Sequence, residues 1–385
     1  MRTILHATLA ALLLALPAQA TPFITADPPA QVAGLRITTV VEGLERPWGL
    51  AFLPDGSALV TERPGRLRLI RDGALLPTPI AGTPPVLAAG QGGLFDVALD
   101  PNFATNRMIY LSYAHGDAQA NRARLARAVL DGTTLRDLRV IFEVSQAKPG
   151  NAHFGGRIVF LPDGTLLLST GDGGNPPNSL EGRFIREQAQ NPASHLGKIL
   201  RLNADGSVPR DNPFLGRAGF APEIWSMGHR NVQGMTWDTT RRIVLANEHG
   251  SQGGDELNLL RGGQNHGWPM VSYSLEYRGG AQIGSGQVAS GMVDPVLVWS
   301  MTTAPSGLVV YTGDRFPAWR GDIFSGSLRS MDVRRIRADA TGRVTGEEVI
   351  KIGRRVRDVR QGPDGFLYML TDDSPGALLR IEAAR

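Results

Sequence analysis

The stretches "LPDGSALVTE" (residues 53–62), "LPDGTLLLST" (161–170) and "GPDGFLYMLT" (362–371) are three copies of one unit. In each, a Pro-Asp-Gly turn leads into a short apolar run. Proline presets φ, aspartate bonds its own backbone, and glycine supplies the left-handed position, so the unit reads as turn then strand. Weaker copies fill the gaps: "LDPNFATNRMIYLSY" from Leu99, "WDTTRRIVLANE" from Trp237 and "YTGDRFPAWRGDIFSGS" from Tyr311.

Six such units, spaced roughly 50 to 80 residues apart, fit one sheet per repeat better than two unrelated domains. The spacing predicts an all-β fold, a six-bladed β-propeller with long inter-blade loops. The strand after each turn is expected to run past the axis. Irregular spacing puts the longest insertions at 171–225 and 249–310, and long loops are where function tends to sit. One helix is expected, near Arg183–Gln190.

The N-terminus has a separate reading. Arg2 precedes an apolar run from Ile4 to Leu16, followed by "ALPAQA", which reads as a signal peptide over 1–20 cleaved after Ala20. The run is shorter than the ~20 residues that span a bilayer, so stable membrane insertion is not expected. Residues 21–34 read as an N-terminal extension and 35–385 as the single propeller domain. The expected location is the periplasm or the exterior.

The 385 residues include no cysteine, which removes thiolate nucleophiles and thiolate metal sites. Stability must come from a large core, and any metal must be held by oxygen or imidazole. The sequence pI is near 9.7. Nucleic acid is nevertheless not an expected partner. The basic residues are nearly all scattered arginines, with lysine only at 148, 198 and 351, and they form no run with interleaved aromatics. The alternatives are a solvated surface or a few arginines converging on an anionic small molecule.

The usual catalytic signatures are missing: no Gly-x-Ser-x-Gly elbow, no His-Glu-x-x-His and no Walker-type loop. "GSGQVA" (284–289) matches a dinucleotide fingerprint only formally, since it neither follows a strand nor opens a helix.

Five stretches carry chemistry. "PGNAHFGGR" (149–157) places His153 before two glycines and an apolar run. "AAGQGGLFDVALDP" (88–101) places Gln91 among glycines, either as a hairpin turn or where backbone approaches a ligand. "GHRN" (228–231) sets His229, Arg230 and Asn231 in a row, either pinning blades or facing a site. "NEHGSQGGDELN" (247–258) offers Glu248, Asp255, Glu256 and glycine carbonyls, an oxygen set that suits calcium or simply a solvated loop. "GRRVRDVRQGPDG" (353–365) puts Arg355 and Arg357 two apart on a strand, hence on one face, with Arg329 at the corresponding place one blade earlier.

Taken together, GQGG–FDVALDPNF, HFGGR–PDG–GDGG, HLGKILRLNADGSVPRDNPF, GHRN–QG, EHG–GGDELN, NHGWP, APSG, YTGDRFPAWRG and RDVRQGPDG resemble the soluble aldose sugar dehydrogenases that use pyrroloquinoline quinone. The resemblance runs from about Leu35 to the C-terminus. It implies an exported six-bladed propeller that binds the quinone and Ca2+ at the top of the ring. His153 would be the general base, with Gln91 and Arg230 against substrate and the reacting quinone oxygen. Asn231 would lie on the cofactor, and Arg329, Arg355 and Arg357 would hold its carboxylates. The carbonyls of Gly250 and Ser251 would bind the cofactor calcium, and Asp255 and Glu256 a second, structural one.

Ser251, Ala152, His266 and Arg329 depart from the family pattern of Pro, Asn or Asp, Tyr, and the lysine of the best-known glucose enzyme. With Ala152 before it, the partner that orients His153 is sought at Asn151 or on a neighbouring blade. The activity implied is oxidation of the anomeric hydroxyl of aldose sugars to lactones, with electrons passed to an external acceptor, by a monomer or homodimer. A calcium-dependent sugar lactonase and a non-enzymatic carbohydrate-binding propeller are the alternatives.

Overall fold

The structure is a computed structural model that describes residues 21–25 and 29–384. The signal-peptide reading of residues 1–20 lies outside the described residues. Among those residues, no helix is long and apolar enough to cross a membrane.

Six sheets, each built on four antiparallel strands, follow one another along the chain. Blade 1 runs Pro47–Phe52, Ala58–Glu62, Arg66–Arg71, Ala74–Leu75, and blade 2 runs Leu94–Leu99, Met108–Gly116, Asn121–Asp131, Thr134–Glu143. Blade 3 is Ile158–Phe160, Leu166–Thr170, Lys198–Leu202, Ile224–Met227, and blade 4 is Val232–Asp238, Ile243–Glu248, Asp255–Leu260, Leu297–Trp299. Blade 5 comprises Pro305–Val310, Ile323–Ser327, Asp332–Ala338 and Val344–Lys351. Blade 6 has three C-terminal strands, Val356–Gln361, Leu367–Thr371 and Gly376–Ala383, and takes its fourth from the N-terminus, Leu35–Leu44. That pairing closes the ring. The segment before it adds parallel edge strands, Phe23–Thr25 to blade 4 and Ala30–Gln31 to blade 5.

All six repeat units fall at the same place, the turn between the first and second strands of a blade. In the three clearest copies the geometry is identical in kind. The amide of Gly56, Gly164 or Gly365 bonds back to the carbonyl of Leu53, Leu161 or Gly362 at 3.0 Å. The three glycines have φ of 86°, 83° and 80°, a conformation that a Cβ would strain.

One expectation is corrected. The strand that runs along the axis is the one before the turn, since consecutive blades touch through their first strands. The strand after the turn is second from the axis, covered on both edges and both faces; Ala58–Glu62, Leu166–Thr170 and Leu367–Thr371 are buried throughout. Double burial makes it the most continuously apolar strand of its blade, and therefore the most conspicuous in sequence. The helix expected near Arg183–Gln190 is a short hairpin strand, Arg183–Phe184, followed by a 3-10 turn, Ile185–Gln190.

The blades are stitched at the axis by polar side chains. Thr61 Oγ1 donates to the Phe95 carbonyl of the next blade, Ser112 Oγ to Gly156, Ser169 Oγ to Val232 and Asn247 Nδ2 to Ser306. Ser306 Oγ in turn donates to Val356 at 2.7 Å. Arg157, 1 % exposed, ties four other blades to its own. Its Nη1 donates to Asp96 at 3.0 Å and Asp358 at 3.3 Å, its Nε to the Gln233 carbonyl at 3.0 Å, and its guanidinium lies 4.4 Å from the Trp48 ring centroid. Burial pushes the Asp96 carboxyl upward, and Arg157 then Arg360 oppose that shift.

Removing Arg157 alone would leave Asp96 and Asp358 buried with only Arg360 as a cationic partner. Arg157→Leu is therefore expected to lower unfolding free energy by ~3–5 kcal/mol, read as a lower urea midpoint. An unchanged midpoint would show that the axis is held by the sheets alone.

Candidate active site

His153 lies in the crossing from blade 2 to blade 3, with φ of 49°, a left-handed position unusual for a residue with a side chain. Two loops clasp to hold it there. The Gln91 amide donates to the Asn151 carbonyl at 2.7 Å, and the His153 amide donates to Gln91 Oε1 at 2.8 Å. A Cβ on Gly90 would come within 2.6 Å of the Asn151 Cβ, so the clasp requires glycine at that position.

The orienting partner is Asp172, on the same blade as the strand that follows His153. Asp172 Oδ1 meets His153 Nδ1 at 2.6 Å and also accepts the Gly174 amide at 3.0 Å. Its Oδ2 accepts the Trp268 indole Nε1 at 2.8 Å. This corrects the expectation of Asn151 or a neighbouring blade; Asn151 acts through its main chain. A carboxylate on Nδ1 fixes the tautomer with the proton there, leaving the Nε2 lone pair as the basic site. Burial lowers the proton affinity of His153, Arg230 lowers it further, and Asp172 pulls the other way.

The glycines after His153 also have a different reason from making room for a flat ligand. A Cβ on Gly155 would lie 2.7 Å from the Ser169 carbonyl oxygen, and one on Gly156 would lie 2.8 Å from the Phe95 ring. Both let the chain pass against its own blade and its neighbour.

The "HRN" trio divides its work. His229 is structural: its ring nitrogens meet Ser226 Oγ at 2.8 Å and Glu248 Oε1 at 3.0 Å. Arg230 lies near enough to His153 to lower its proton affinity. Its Nη1 donates to the His249 carbonyl at 3.1 Å and its Nη2 to Asn175 Oδ1 at 2.9 Å, while its buried Nε has no partner in the protein. Asn231 Oδ1 accepts the Gly155 amide and Gln233 Nε2, both at 3.2 Å.

Asn231 and Gln91 line a cavity of about 290 Å3 together with Trp48, Phe95 and Phe154. The opposite wall is cationic, carrying Arg63, Arg329, Arg355 and Arg357 against the single carboxylate of Asp372. Asp372 Oδ2 accepts Arg355 Nη2 at 2.9 Å and Arg357 Nη2 at 3.1 Å, which brings those two arginines together. Although burial pushes the Asp372 carboxyl up, Arg357 and Arg355 outweigh it and hold the group below its ordinary range. Arg357 Nε is buried and without a partner. Four guanidiniums facing one carboxylate leave positive charge for an anionic ligand. Arg63, Asp172, Trp268 and Asp372 were not singled out from sequence. The available signal was register in the repeat, since Arg63 and Asp372 both stand immediately after a second strand and its boundary residue.

The 247–258 loop divides the metal expectations. The carbonyls of Gly250 and Ser251 accept no hydrogen bond among the described residues, so both are available to a cation. Asp255, expected as a ligand of a second calcium, is bonded within the protein. Its Oδ1 accepts the Gly250 amide at 2.7 Å, and its Oδ2 accepts the Thr303 amide and hydroxyl and the Ala304 amide. Glu256 accepts Asn258 Nδ2 at 3.2 Å, and burial followed by the nearby Glu248 keeps its proton affinity well above the usual carboxylate range. No group of three or more acidic or histidine side chains that could hold a metal occurs among the described residues.

The fold and this site define a propeller that sets a carboxylate-oriented imidazole beside a pocket walled by arginines and aromatic rings. The family described as Glucose / Sorbosone dehydrogenase matches residues 44–380, and the chain belongs to it. It is 39 % identical to the aldose sugar dehydrogenase YliI of Escherichia coli, over 91 % of this chain and 93 % of that one. The crystal structure of the soluble aldose sugar dehydrogenase from E. coli in its apo-form superposes with a TM-score of 0.85, covering 91 % of this chain and 99 % of that one at 38 % identity. The PQQ-bound aldose sugar dehydrogenase of Streptomyces coelicolor superposes at 0.72, with 29 % identity, 92 % of this chain and 99 % of that one. The chain is thus an oxidoreductase of the sugar dehydrogenase type.

Two outcomes follow from the His153–Asp172 pair. Asp172→Asn should lower turnover at least ~10²-fold with the fold intact, because an amide can stabilise the wrong imidazole tautomer. With His153 as the base the neutral form is the active one, and its proton affinity is depressed, so neutral His153 persists as pH falls. The acidic limb of kcat/KM should lie below the ordinary imidazole value of ~6.5. A limb at or above that value would remove His153 as the titrating group.

Proposed function

We propose that this chain is a quinoprotein that oxidises the anomeric hydroxyl of aldoses to lactones, with pyrroloquinoline quinone bound in the arginine-walled cavity. The single observation that carries this reading is the basic Nε2 of His153, oriented by Asp172, beside a pocket whose cationic wall has an unpaired donor, Arg357 Nε. The fit to a tricarboxylate is chemical: Arg63, Arg329, Arg355 and Arg357 bring four guanidiniums to one cavity, and Arg357 Nε lacks a partner. Trp48, Phe95 and Phe154 supply apolar ring surface of the kind a flat cofactor needs.

When bound, the quinone supplies a two-electron acceptor for the hydrogen that leaves the anomeric carbon with its electron pair. The residues of this chain do the rest. His153 Nε2 takes the proton of the anomeric hydroxyl, and the Asp172 carboxylate stabilises the imidazolium that results. Gln91, fixed through its Oε1 to the His153 amide, presents its Nε2 donors to substrate, and Arg230 presents its free Nε to developing negative charge. Asn231 positions the cofactor face. The free carbonyls of Gly250 and Ser251 are where calcium would be held, supplying a Lewis acid. The leader-like residues 1–20 support export to the periplasm, where an external acceptor would take the electrons.

The test is reconstitution of the apo-protein with the quinone and Ca2+, followed by dye reduction with a panel of aldoses. Cofactor absorbance and aldose-dependent reduction are expected. Arg357→Ala should weaken quinone affinity at least ~10-fold, since charge-assisted bonds to a buried guanidinium are worth more than about 1.5 kcal/mol, and Arg355→Ala, at an exposed side chain, should weaken it less. Lactone hydrolysis without quinone, and no dye reduction, would replace the reading with a lactonase.

A further inference from the structure

We infer that Lys148 is a positioning residue that sets the charge balance of the Asp172–His153 pair from behind. The inference rests on His153 acting as the base, as argued above.

Lys148 is 1 % exposed, and its surroundings are built around it. Its main chain is fixed in both directions, Lys148 N to the Asn121 carbonyl at 2.8 Å and Asn121 N to the Lys148 carbonyl at 3.0 Å. The side-chain stem passes Gly173, where an added Cβ would lie 3.0 Å from Lys148 Cδ, so it runs alongside the residue next to Asp172. Its Nζ sits 3.9 Å from the ring centroid of Phe154, the residue after His153. The ammonium therefore lies against the residue after His153, and the stem against the residue after Asp172.

A comparison within the chain shows what this lysine is not. Lys198 is equally buried, but its Nζ donates to the carbonyls of Gln188, Ala189 and Leu196 at 2.8, 2.9 and 2.8 Å, using all three N–H groups to close the 3-10 turn. Lys148 makes one long bond, 3.3 Å to the Gly150 carbonyl, and otherwise rests on an aromatic face. In a chain that uses arginine almost everywhere else, a buried lysine with spare donors is the cation whose charge can change.

The charged groups around Lys148 are few. Asp172 acts on it directly, and Lys148 in turn acts on His153. Asp117 bonds the amides of its own turn, Arg122 and Arg124 pair with Glu143, and Arg186 with Glu276. Glu187, on the 3-10 turn, lines a separate groove of about 800 Å3. Burial pushes the Lys148 ammonium down to about 7, with Asp172 opposing. Its positive charge depresses the proton affinity of His153, so deleting that charge should raise it.

The test begins with the apo-protein, labelled at histidine, with His153 assigned through His153→Gln. Lys148→Met should raise the NMR titration midpoint of His153 by at least ~0.5 pH unit, and Lys148→Arg, which keeps the charge, should leave it near wild type. In the reconstituted enzyme the acidic limb of kcat should move up by the same amount while KM for the sugar stays within about twofold. An unmoved His153 midpoint in folded Lys148→Met overturns the inference. If that variant does not fold, the wild-type lysine is followed instead. A Lys148 midpoint near 7 with a matching step in the His153 signal supports the inference, and a midpoint above ~9 overturns it. Because the His153 titration needs neither quinone nor sugar, its outcome stands apart from any failure of aldose turnover.

Discussion

Everything in this ring depends on the charge balance at its axis. Arg157 reaches Asp96, Asp358, the Gln233 carbonyl and the Trp48 ring, and Arg360 completes the pairing with both carboxylates. Two buried carboxylates and two guanidiniums make a neutral set in a place where any one of them alone would be costly. The pairing is not needed to form the blades, whose sheets are satisfied internally. It fixes how the blades face one another, and His153, Gln91, Arg230 and Arg357 arrive at the site from four different blade ends. A relative rotation of blades would separate them before it disrupted any sheet.

The same blade joints explain why a chain without cysteine carries such long excursions. Five joints have a hydroxyl or amide stitch, from Thr61 round to Ser306. At the sixth, Asp358 Oδ2 accepts the Leu50 amide at 3.1 Å, while the second strands of the blades are largely buried. Loops of twenty residues or more therefore leave from a frame that needs nothing from them. The loops supply what the frame lacks: Asp172 and Trp268 from two excursions meet at 2.8 Å, so the orientation of the base is decided between loops of blades 3 and 4.

Much of the architecture was legible because repetition is a one-dimensional signal. The turn units, their number and the long insertions could be read directly from residues such as Asp55, Asp163 and Asp364. Which strand lies at the axis was not legible, because burial makes the second strand more apolar than the first. His153 drew attention as one of seven histidines beside glycines, and Arg355 and Arg357 through their spacing. Asp172 did not stand out by itself, since "GDGG" looks like any turn; only its fold position puts it under the imidazole. Arg63 and Asp372 follow the same logic. They stand just past the second strands of blades 1 and 6, where every repeat delivers a residue to one face of the ring, yet neither is unusual in composition. The bonding of Asp255 is hidden in the sequence for a related reason. A carboxylate beside glycines suggests a metal ligand, and sequence does not reveal how many backbone amides converge on it.

What Asp255 does instead shows how the site is assembled. It holds the Gly250 amide with one oxygen and the Thr303 and Ala304 amides with the other. Ala304 adopts φ of 53° there and lines the cavity, while the Thr303 carbonyl accepts the Arg329 amide at 2.9 Å. One buried carboxylate thus sets the Gly250–Ser251 carbonyls on one side and the start of the arginine wall on the other. Burial raises its proton affinity, and three backbone amides and a hydroxyl oppose that shift. A single acid, bonding only to backbone and a hydroxyl, thus ties the 250 loop to the segment that leads into the arginine wall, so neither loop can shift without breaking a buried charge-assisted bond.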